Sequence, residues 1–576
     1  MAEQIKPGVK QTFGIFAPIL GLKQDFPVIL LGKTFTSDNQ RSHIQYGEIH
    51  RAKLAIDTLL NSEEVKVQTL DGFPILHYHR FVRESDAKEY LLAFTKAHIY
   101  YWNETTKTFG LAIFTCGSNC TEWHTRTFNN KVIATNNVDL VQVWNPSGII
   151  ETISLGSGGT GYTALDVITI VQEGGSLGTV TVNTVDGAGV ILTCTLLAKG
   201  SGYSVANGLA VTGGTGSDAT INILLVDVFA PLDTASGINY GTVEDPEYLT
   251  KAKYVEVYEN YLFLGYTYEA GTSLPQNVRW SDLLDEADWK TGDAGGATIG
   301  SRDFITGLIK YKGFLIIFKQ ESVHQMWLTE ASADIFNNKP LFTNLGCKAS
   351  HSIVMDDKEN LYFFASDNTF RHLLYGEISQ TIDPIVKGIK SSLVDGIKST
   401  FIEEYGQIWW AIPYGECSAN NKIIKYKQVW NQEDTAINAF GDYIKESDAL
   451  FLADLGADTS GYTKKLHDSE AGSNASYFVL STDLTDKKGL SYYKRLEDLY
   501  IYVKKESSGT LTIEIKRDNE TTWQSIGTID LTGSEDILIQ HLAPDIRGKT
   551  FLIKVSSNDH YRFLGMLFKF LIVGER

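Results

Sequence analysis

Paired acidic residues are the first groups in this sequence that could carry chemistry. The pairs are Asp285-Glu286, Asp356-Asp357 and Glu403-Glu404, and hydrolysis of a glycosidic bond uses two carboxyl groups. Acidic residues also fill the turns of any acidic β-protein. The sequence has no hydrolase serine motif, zinc-protease motif, phosphate-binding lysine loop or calcium loop beside them. We therefore expect that the chain is not an enzyme and uses no cofactor.

Two short patterns could hold a metal ion. Cys116 and Cys120 lie in the segment CGSNC, and His77 and His79 alternate onto one face of a strand. A structural zinc site needs four ligands at characteristic spacing, and no second Cys or His pair follows. We expect no metal site and a plain surface pair for the two histidines. The odd count of five cysteines fits a reducing assembly compartment better than secretion.

Aromatic and glycine-rich segments suggest two further binding chemistries. Trp280 and Trp289 could form a platform for a sugar ring, although tryptophans more commonly pack in a core. The glycine-rich runs around Gly161 and Gly202 resemble phosphate loops only superficially. No Lys-Ser/Thr pair and no helix follows them, which argues against nucleotide binding.

Composition indicates a β-rich globular chain of several domains. Its 576 residues are too many for one compact core, and we expect two to four domains. The aromatic content of 11% and the 51 glycines favour strands and turns over helical bundles. A net charge of −18 excludes a sequence-specific DNA reader, which needs a basic face. The N-terminus lacks a signal-peptide core, and the most apolar segment, Phe563 to Val573, is too short to span a membrane.

A recurring β-unit organises the chain, and residues 277 to 327 show it best. A turn at Lys312-Gly313 leads into the apolar run Phe314 to Phe318, and a further strand ends at Trp327. Cruder copies recur roughly every 40 to 50 residues, which is the period of β-propeller blades. The pattern predicts about six to seven such units, with Trp280 and Trp327 packed inside the propeller. A string of β-sandwiches is the alternative, but it predicts no common unit.

Two other segments depart from this unit. Residues 146–231 are rich in Gly, Thr, Val and Ser and contain an internal repeat, in which Gly161-Tyr162 matches Gly202-Tyr203, and Asp166 matches Asn207. Residues 472–576 show strands and turns at the spacing of a β-sandwich. Residues 1–60 are expected to form an arm or the strand that closes a ring, with a short helix near residues 51–61.

The sequence therefore predicts an all-β protein. A β-propeller occupies residues 61–145 and 232–471, a small inserted β-domain residues 146–231, and a C-terminal β-sandwich residues 472–576.

One stretch also supports a family resemblance. The resemblance is carried by the strand with Arg279, Trp280 and Ser281, by Trp289, and by the hairpin at Gly313. This stretch resembles the propeller-type tail hub or nozzle proteins of short-tailed bacteriophages. Those proteins carry an RWS-type strand followed by a G-x-L-I-V-F-K hairpin. The resemblance covers about residues 254–327 and is architectural elsewhere. The insertion and the C-terminal sandwich depart from the simplest members.

The resemblance implies a mechanical role in the virion tail, after assembly in the host cytoplasm. Subunits would form a closed ring of six below the portal and adaptor, retain the DNA, and conduct double-stranded DNA at ejection without reading its sequence. Their partners would be other copies, the portal-adaptor protein and a tail fibre or spike. Alternatives are a host-receptor or glycan-binding tail module, with its site on the insertion or the sandwich, and a propeller glycosidase.

Overall fold

The computed structural model describes most of the chain. The described residues are 10–16, 36–40, 42–45, 48–51, 54–56, 67–103, 106–118, 120–300, 303–329, 335–444, 452–469, 476–481, 492–505, 508–518, 520–533 and 537–575. The chain divides into two compact units. One, the 67–346 unit, comprises Val67–Gly346 and Asp442–Asp448; the other, the 347–576 unit, comprises Met1–Lys66, Cys347–Gly441 and Ala449–Arg576. The boundary between the units falls inside the segment predicted as propeller. Each blade is a separate sheet, and the sequence repeat that marks the blades does not show which blades pack into one compact unit.

The 67–346 unit contains four antiparallel blade sheets in its described residues, after a short strand at Val67–Gln68. Blade 1 consists of His77–Val82, Glu89–Phe94, His98–Asn103, Thr108–Phe109 and Phe114–Thr115. Blade 2 consists of His124–Phe128, Lys131–Thr135, Gln142–Trp144 and Ala230–Pro231. Blade 3 consists of Ile238–Asn239, Tyr248–Tyr258, Tyr261–Glu269, Thr272–Trp280 and Gly295–Thr298. Blade 4 consists of Ile305–Tyr311, Phe314–Lys319, Val323–Leu328 and Phe336–Phe342.

The 347–576 unit contains three further blade sheets in its described part. Blade 5 consists of Val354–Met355, Leu361–Phe364, Phe370–His372 and Gly376–Glu377. Blade 6 consists of Lys398–Ile402, Gln407–Ile412, Lys422–Lys427 and Val429–Glu433. The strand Ala439–Ile444 leads to blade 7, where Leu452–Ala457, Tyr462–Ser469 and Leu54–Ile56 pair side by side. Helical segments are short: Ser350–Ser352, Gln380–Ile382, Asp383–Lys387 and Ser391–Gly396.

Tight two-residue turns fix the blade hairpins. Asn129-Asn130, Glu259-Asn260 and Lys312-Gly313 each place both residues at positive φ, between 47° and 77°. This geometry matches the right-handed twist of paired strands, and Asn and Gly tolerate it best. The same turn therefore joins the first two long strands in blades 2, 3 and 4.

Within each unit, hydrophobic cores lie between consecutive blades. Blades 3 and 4 share a cluster around Phe263, Trp280 and Ile317, and blades 2 and 3 share one around Leu262 and Trp289. Because each central strand is covered on both faces, its side chains are apolar without alternation. This arrangement explains the runs YLFLG, FLIIF and QIWWAI.

The insertion is one six-stranded antiparallel sheet with its own core. Its spatial order is Ile150–Thr160, Ser217–Val226, Ala206–Thr212, Val167–Ile170, Ser176–Val185 and Ile191–Ser201. The core includes Ile150, Ile168, Val180, Ile221 and Ile223.

The C-terminal sandwich has two sheets over one core. The first sheet has the order Ser42–Gln45, Glu48–Arg51, Arg562–Glu575, Tyr492–Lys504 and Ile537–Leu542, with Lys10–Phe16 and Ile546–Gly548 as further partners. The second has the order Thr36–Gln40, Ser476–Ser481, Phe551–Ser557, Thr510–Arg517 and Gln524–Asp530. Four strands that precede residue 52 thus join sheets whose other strands follow residue 475.

These sheets confirm the predicted fold class: a β-propeller with an inserted small β-domain and a C-terminal β-sandwich. The helix expected near residues 51–61 is wrong in the part that is described. Leu54–Ile56 is a strand that pairs with Tyr462–Ser469, because sheet pairing overrides a weak helical pattern; residues 57–61 lie outside the described residues. No helix in the described part is long and apolar enough to cross a lipid bilayer.

Candidate functional site

Trp280 closes the motif strand of blade 3 and is buried, with 6% of its surface exposed. Its indole nitrogen donates a hydrogen bond to the carbonyl oxygen of Asp293 at 2.8 Å. Its ring packs against Phe263 and Phe336, with centroid distances of 5.7 and 5.1 Å. Trp280 therefore joins blade 3 to blade 4, and its ring is not available to stack on a sugar.

Arg279, next to Trp280, ties neighbouring strands of the same blade together. Its Nη2 donates to Glu269 Oε2 at 2.6 Å, and its guanidinium carbon lies 3.7 Å from the centroid of the Tyr240 ring. Glu269 is 4% exposed and also accepts a hydrogen bond from Thr267 Oγ1 at 2.6 Å. A planar guanidinium can pair with a carboxylate and stack on an aromatic ring at once, which lysine cannot do.

Ser281 and Trp289 complete the blade 3 motif. Ser281 is fully buried; its Oγ accepts from the backbone nitrogen of Leu262 at 3.1 Å and donates to the carbonyl of Asp282 at 2.8 Å. Trp289 is 1% exposed and donates from its indole nitrogen to the carbonyl of Glu286 at 2.7 Å. Ser281 and Trp289 thus both have structural partners. The alternative that Trp280 and Trp289 form a platform for a sugar ring is wrong, because both rings are buried.

Gly313 and Trp327 lie on the blade 4 hairpins. Gly313 has φ +77°, and its carbonyl accepts a hydrogen bond from Tyr258 Oη at 2.8 Å. Trp327 is only half-buried, and Lys339 Nζ lies 5.7 Å from the centroid of its ring. The prediction that Trp327 packs in the core is wrong, because the register opposes Met326 to Leu315 and puts Met326 in the core. Strand alternation then turns Trp327 to the other face.

His77 and His79 connect blade 1 to blade 2. His77 Nε2 lies 2.7 Å from Thr125 Oγ1, and His79 bonds Thr125 Oγ1 through Nδ1 at 2.8 Å and Thr127 Oγ1 through Nε2 at 3.0 Å. Burial and the nearby guanidinium of Arg126 lower the pKa of His79 to about 3, so it is neutral at physiological pH. The expected surface pair is thus a cross-blade hydrogen-bond ladder.

Ion pairs continue this cross-linking between blades 2 and 3. Arg126 forms a bidentate pair with Glu256, at 2.7 Å for both its Nε and its Nη2. Lys253 Nζ lies 2.7 Å from Glu122 Oε1. Sequence reasoning missed these residues, although a lone Glu256 within the apolar strand YVEVY signals a paired buried charge.

Three of the paired acidic residues have structural partners in turns or an ion pair. Asp285 Oδ1 accepts from the backbone nitrogen of Ala287 at 2.9 Å, and Asp356 Oδ1 accepts from that of Asn360 at 2.8 Å. Burial would raise the pKa of Glu286, but hydrogen bonds from Lys131 and Asn129 hold it below its usual value. These carboxylates therefore have structural partners within the protein.

The insertion repeat is a structural duplication. Gly202-Tyr203 follow Gly161-Tyr162 at the same sequence spacing at which Gly189 follows Gly148. The φ angles repeat as well, at 79° and 78° for Gly161 and Gly202, and at 75° and 73° for Gly148 and Gly189. Tyr162 and Tyr203 are both buried. Two copies of one β-unit therefore share a single core.

The two copies differ in how their Tyr turns are capped. Tyr203 Oη donates to the carbonyl of Ile170 at 3.1 Å and accepts from Gly178 N at 3.0 Å. Asp166 accepts from the backbone nitrogen of Thr163 at 2.9 Å, beside Tyr162. Its sequence match Asn207 is exposed, and Gln172 Oε1 caps the equivalent nitrogen of Ser204 at 2.8 Å.

Asp227 closes the base of the insertion where the chain returns to blade 2. Its carboxylate accepts hydrogen bonds from the backbone nitrogens of Gly148 and Ile149 at 3.0 and 2.8 Å, and its carbonyl accepts from Trp144 Nε1 at 2.5 Å. Burial raises the pKa of Asp227 above its usual value. The two connections of the insertion are thus held side by side.

Comparison with known proteins assigns no family to this chain. No family model and no curated protein matches the sequence. The computationally designed Ika8 protein is 11% identical, with a TM-score of 0.31 over 70% of this chain and 99% of that one. The β-propeller domain of Cps50 (Swd1) from Myceliophteria thermophila is 9% identical, with a TM-score of 0.24 over 55% and 87% of the two chains. Likenesses this weak carry no argument, and the β-propeller assignment rests on the strand pairing itself.

Proposed function

We propose that this chain is a structural virion protein of a bacteriophage tail. It would form a ring-shaped hub or nozzle below the portal and adaptor that retains DNA and conducts it at ejection. The observation that carries the proposal is the use of the hub-type motif: Arg279, Trp280, Ser281 and Trp289 all bond or pack within the protein. A motif whose side chains hold neighbouring blades together fits a protein that forms the wall of a tube.

The cross-blade contacts support the same role. His79, Arg126 and Glu256 link three consecutive blades by hydrogen bonds and a bidentate ion pair. Such pairs are directional and resist sliding of one sheet past the next. A tube wall under internal pressure needs that resistance.

The charge balance also suits a conduit. A net charge of −18 disfavours lasting attachment to DNA phosphates, because DNA binding depends on basic side chains that release counterions. We therefore expect DNA to pass such a ring without sequence-dependent retention.

The test is the assembly state of the full-length protein, alone and in tail particles. Cryo-electron microscopy should show a closed ring, six-fold by the resemblance, or assembly only together with other tail proteins. A stable monomer at one copy per tail would refute the proposal. As an independent check, DNA should not be retained at physiological salt in a filter-binding assay.

A receptor-binding role of the insertion is the second candidate. The insertion exposes large aliphatic side chains, among them Leu165 at 80% and Leu177 at 77%, and both have positive φ angles. Exposed aliphatic groups held in a costly backbone conformation favour contact with another molecule. Replacing both by Asn should abolish adsorption to host cells without loss of ring assembly if this role is correct, and unchanged adsorption would exclude it.

A further inference from the structure

The two cysteines of the CGSNC segment face each other in blade 1. Cys116 Sγ and Cys120 Sγ lie 3.9 Å apart, and both thiols are free. The other three cysteines lie on separate elements: Cys194 in the insertion, Cys347 before blade 5 and Cys417 in blade 6. Closing a disulfide requires the two sulfurs to approach from this distance to about 2 Å.

The backbone holds the pair in place. Cys116 N donates to the carbonyl of Ala97 at 2.8 Å, and Cys120 N donates to that of Lys96 at 3.0 Å. The two cysteines are therefore fixed on adjacent carbonyls of the turn that joins Glu89–Phe94 to His98–Asn103. Trp123 secures the same turn by donating from its indole nitrogen to Thr95 O at 2.9 Å.

The two sulfurs differ in access. Cys116 is partly buried at the edge of the core between blades 1 and 2, whereas Cys120 is 3% exposed and lies within that core. A small disulfide in solution can therefore reach Cys116 and not Cys120. The hydrogen bond between the two sulfurs raises the pKa of Cys116 and lowers that of Cys120, so Cys116 attacks only after its proton has passed to solvent. Its access to solution makes Cys116 the attacking thiol and leaves Cys120 as the resolving one.

We propose that Cys116 and Cys120 form a redox site that closes to an intramolecular disulfide by exchange with a small disulfide such as oxidised glutathione. The Cys116 thiolate attacks the glutathione disulfide, forms a mixed disulfide and releases one glutathione thiolate. The Cys120 thiolate then attacks Cys116 Sγ and displaces the second glutathione thiolate. Two protein thiols are oxidised, one glutathione disulfide is reduced to two thiols, and the two thiol protons pass to solvent or to the released thiolates.

Closure would join Cys116 to Cys120 covalently beside the blade 1 turn. Because the closed loop is short, the disulfide removes little entropy from the unfolded chain. We expect a rise in melting temperature of only about 1–3 °C. The site would record the passage of the protein from a reducing to an oxidising medium while leaving the fold unchanged.

The test equilibrates the full-length folded protein with glutathione buffers of increasing oxidised fraction, followed by acid quenching and alkylation. We expect two of the five thiols to be lost together. Trypsin should release Thr108 to Arg126 as one peptide that lacks two hydrogens. The urea-unfolded chain should need an about tenfold more oxidising buffer for the same closure.

Two variants separate the outcomes. In the Cys116→Ser variant, Cys120 should remain fully alkylated in every glutathione buffer. The control variant Cys194→Ser, on a distant strand, should close the Cys116–Cys120 disulfide as the wild type does. Persistent alkylation of both cysteines in the folded protein would overturn the proposal. So would a mixed disulfide on Cys116 that never resolves, or closure no easier than in the unfolded chain.

Discussion

Excision of the insertion offers the sharpest test of how this chain is built. Blade 2 pairs Gln142–Trp144 with Ala230–Pro231, with Val143 opposite Ala230, so the chain leaves and returns at adjacent positions. We propose to replace residues 147–227 by a two-residue Gly-Ser linker. The insertion buries its own apolar residues in a core of their own, although Leu225 packs at the edge of the core between blades 1 and 2. The remaining protein should therefore fold with a cooperative transition.

The boundary of the excision decides its cost. Phe229 belongs to the core between blades 1 and 2 and packs on Trp144 and Phe94, with ring centroids 6.1 and 6.3 Å away. A wider excision of residues 146–231 removes this ring and should cost about 3–5 kcal/mol. The narrow excision keeps Phe229 but removes Asp227, the hydrogen-bond acceptor of Trp144 Nε1, at a cost of about 1–3 kcal/mol.

Urea unfolding monitored by circular dichroism gives the free energy of unfolding for both variants and the wild type. The narrow variant should be more stable than the wide one, and Phe229→Ala in the full chain should reproduce most of the difference. A narrow variant that loses its cooperative transition, or that is as unstable as the wide one, would refute the boundary and the independence of the insertion core.

Three further outcomes follow from the described contacts. Trp280→Ala should lower the free energy of unfolding by roughly 3–5 kcal/mol and the half-buried Trp327→Ala by less than half as much; equal losses in a urea titration would contradict this assignment. Gly202→Ala should destabilise the insertion far more than Gly208→Ala in calorimetry, although both glycines have positive φ. An added Cβ would clash with the carbonyl oxygen of Gly174 at position 202, whereas it meets nothing within 4 Å at position 208. Acidification from neutral pH to about pH 5 should destabilise the wild type more than His79→Gln, because the unfolded imidazole takes up a proton near 6.5 and the folded one only near pH 3. Parallel pH profiles of melting temperature would exclude this role of His79.

The sequence by itself determined the repeating unit and its turns. Apolar runs such as FLIIF must be covered on both faces, and Lys312-Gly313 suits a tight hairpin. The Gly-Tyr repeat also marks the duplication in the insertion, because positive φ angles at Gly161 and Gly202 need residues without a Cβ. Local backbone chemistry is enough for these features.

Only the tertiary structure decided which side chains meet. Strand register placed Met326 in the core and Trp327 outside it, and alternation alone does not specify which face is covered. The packing of blades brought Arg126 to Glu256 and His79 to Thr125 across long sequence separations. The strand Leu54–Ile56 joined blade 7 because an unpaired sheet edge there gains hydrogen bonds from a distant segment, which no local pattern encodes.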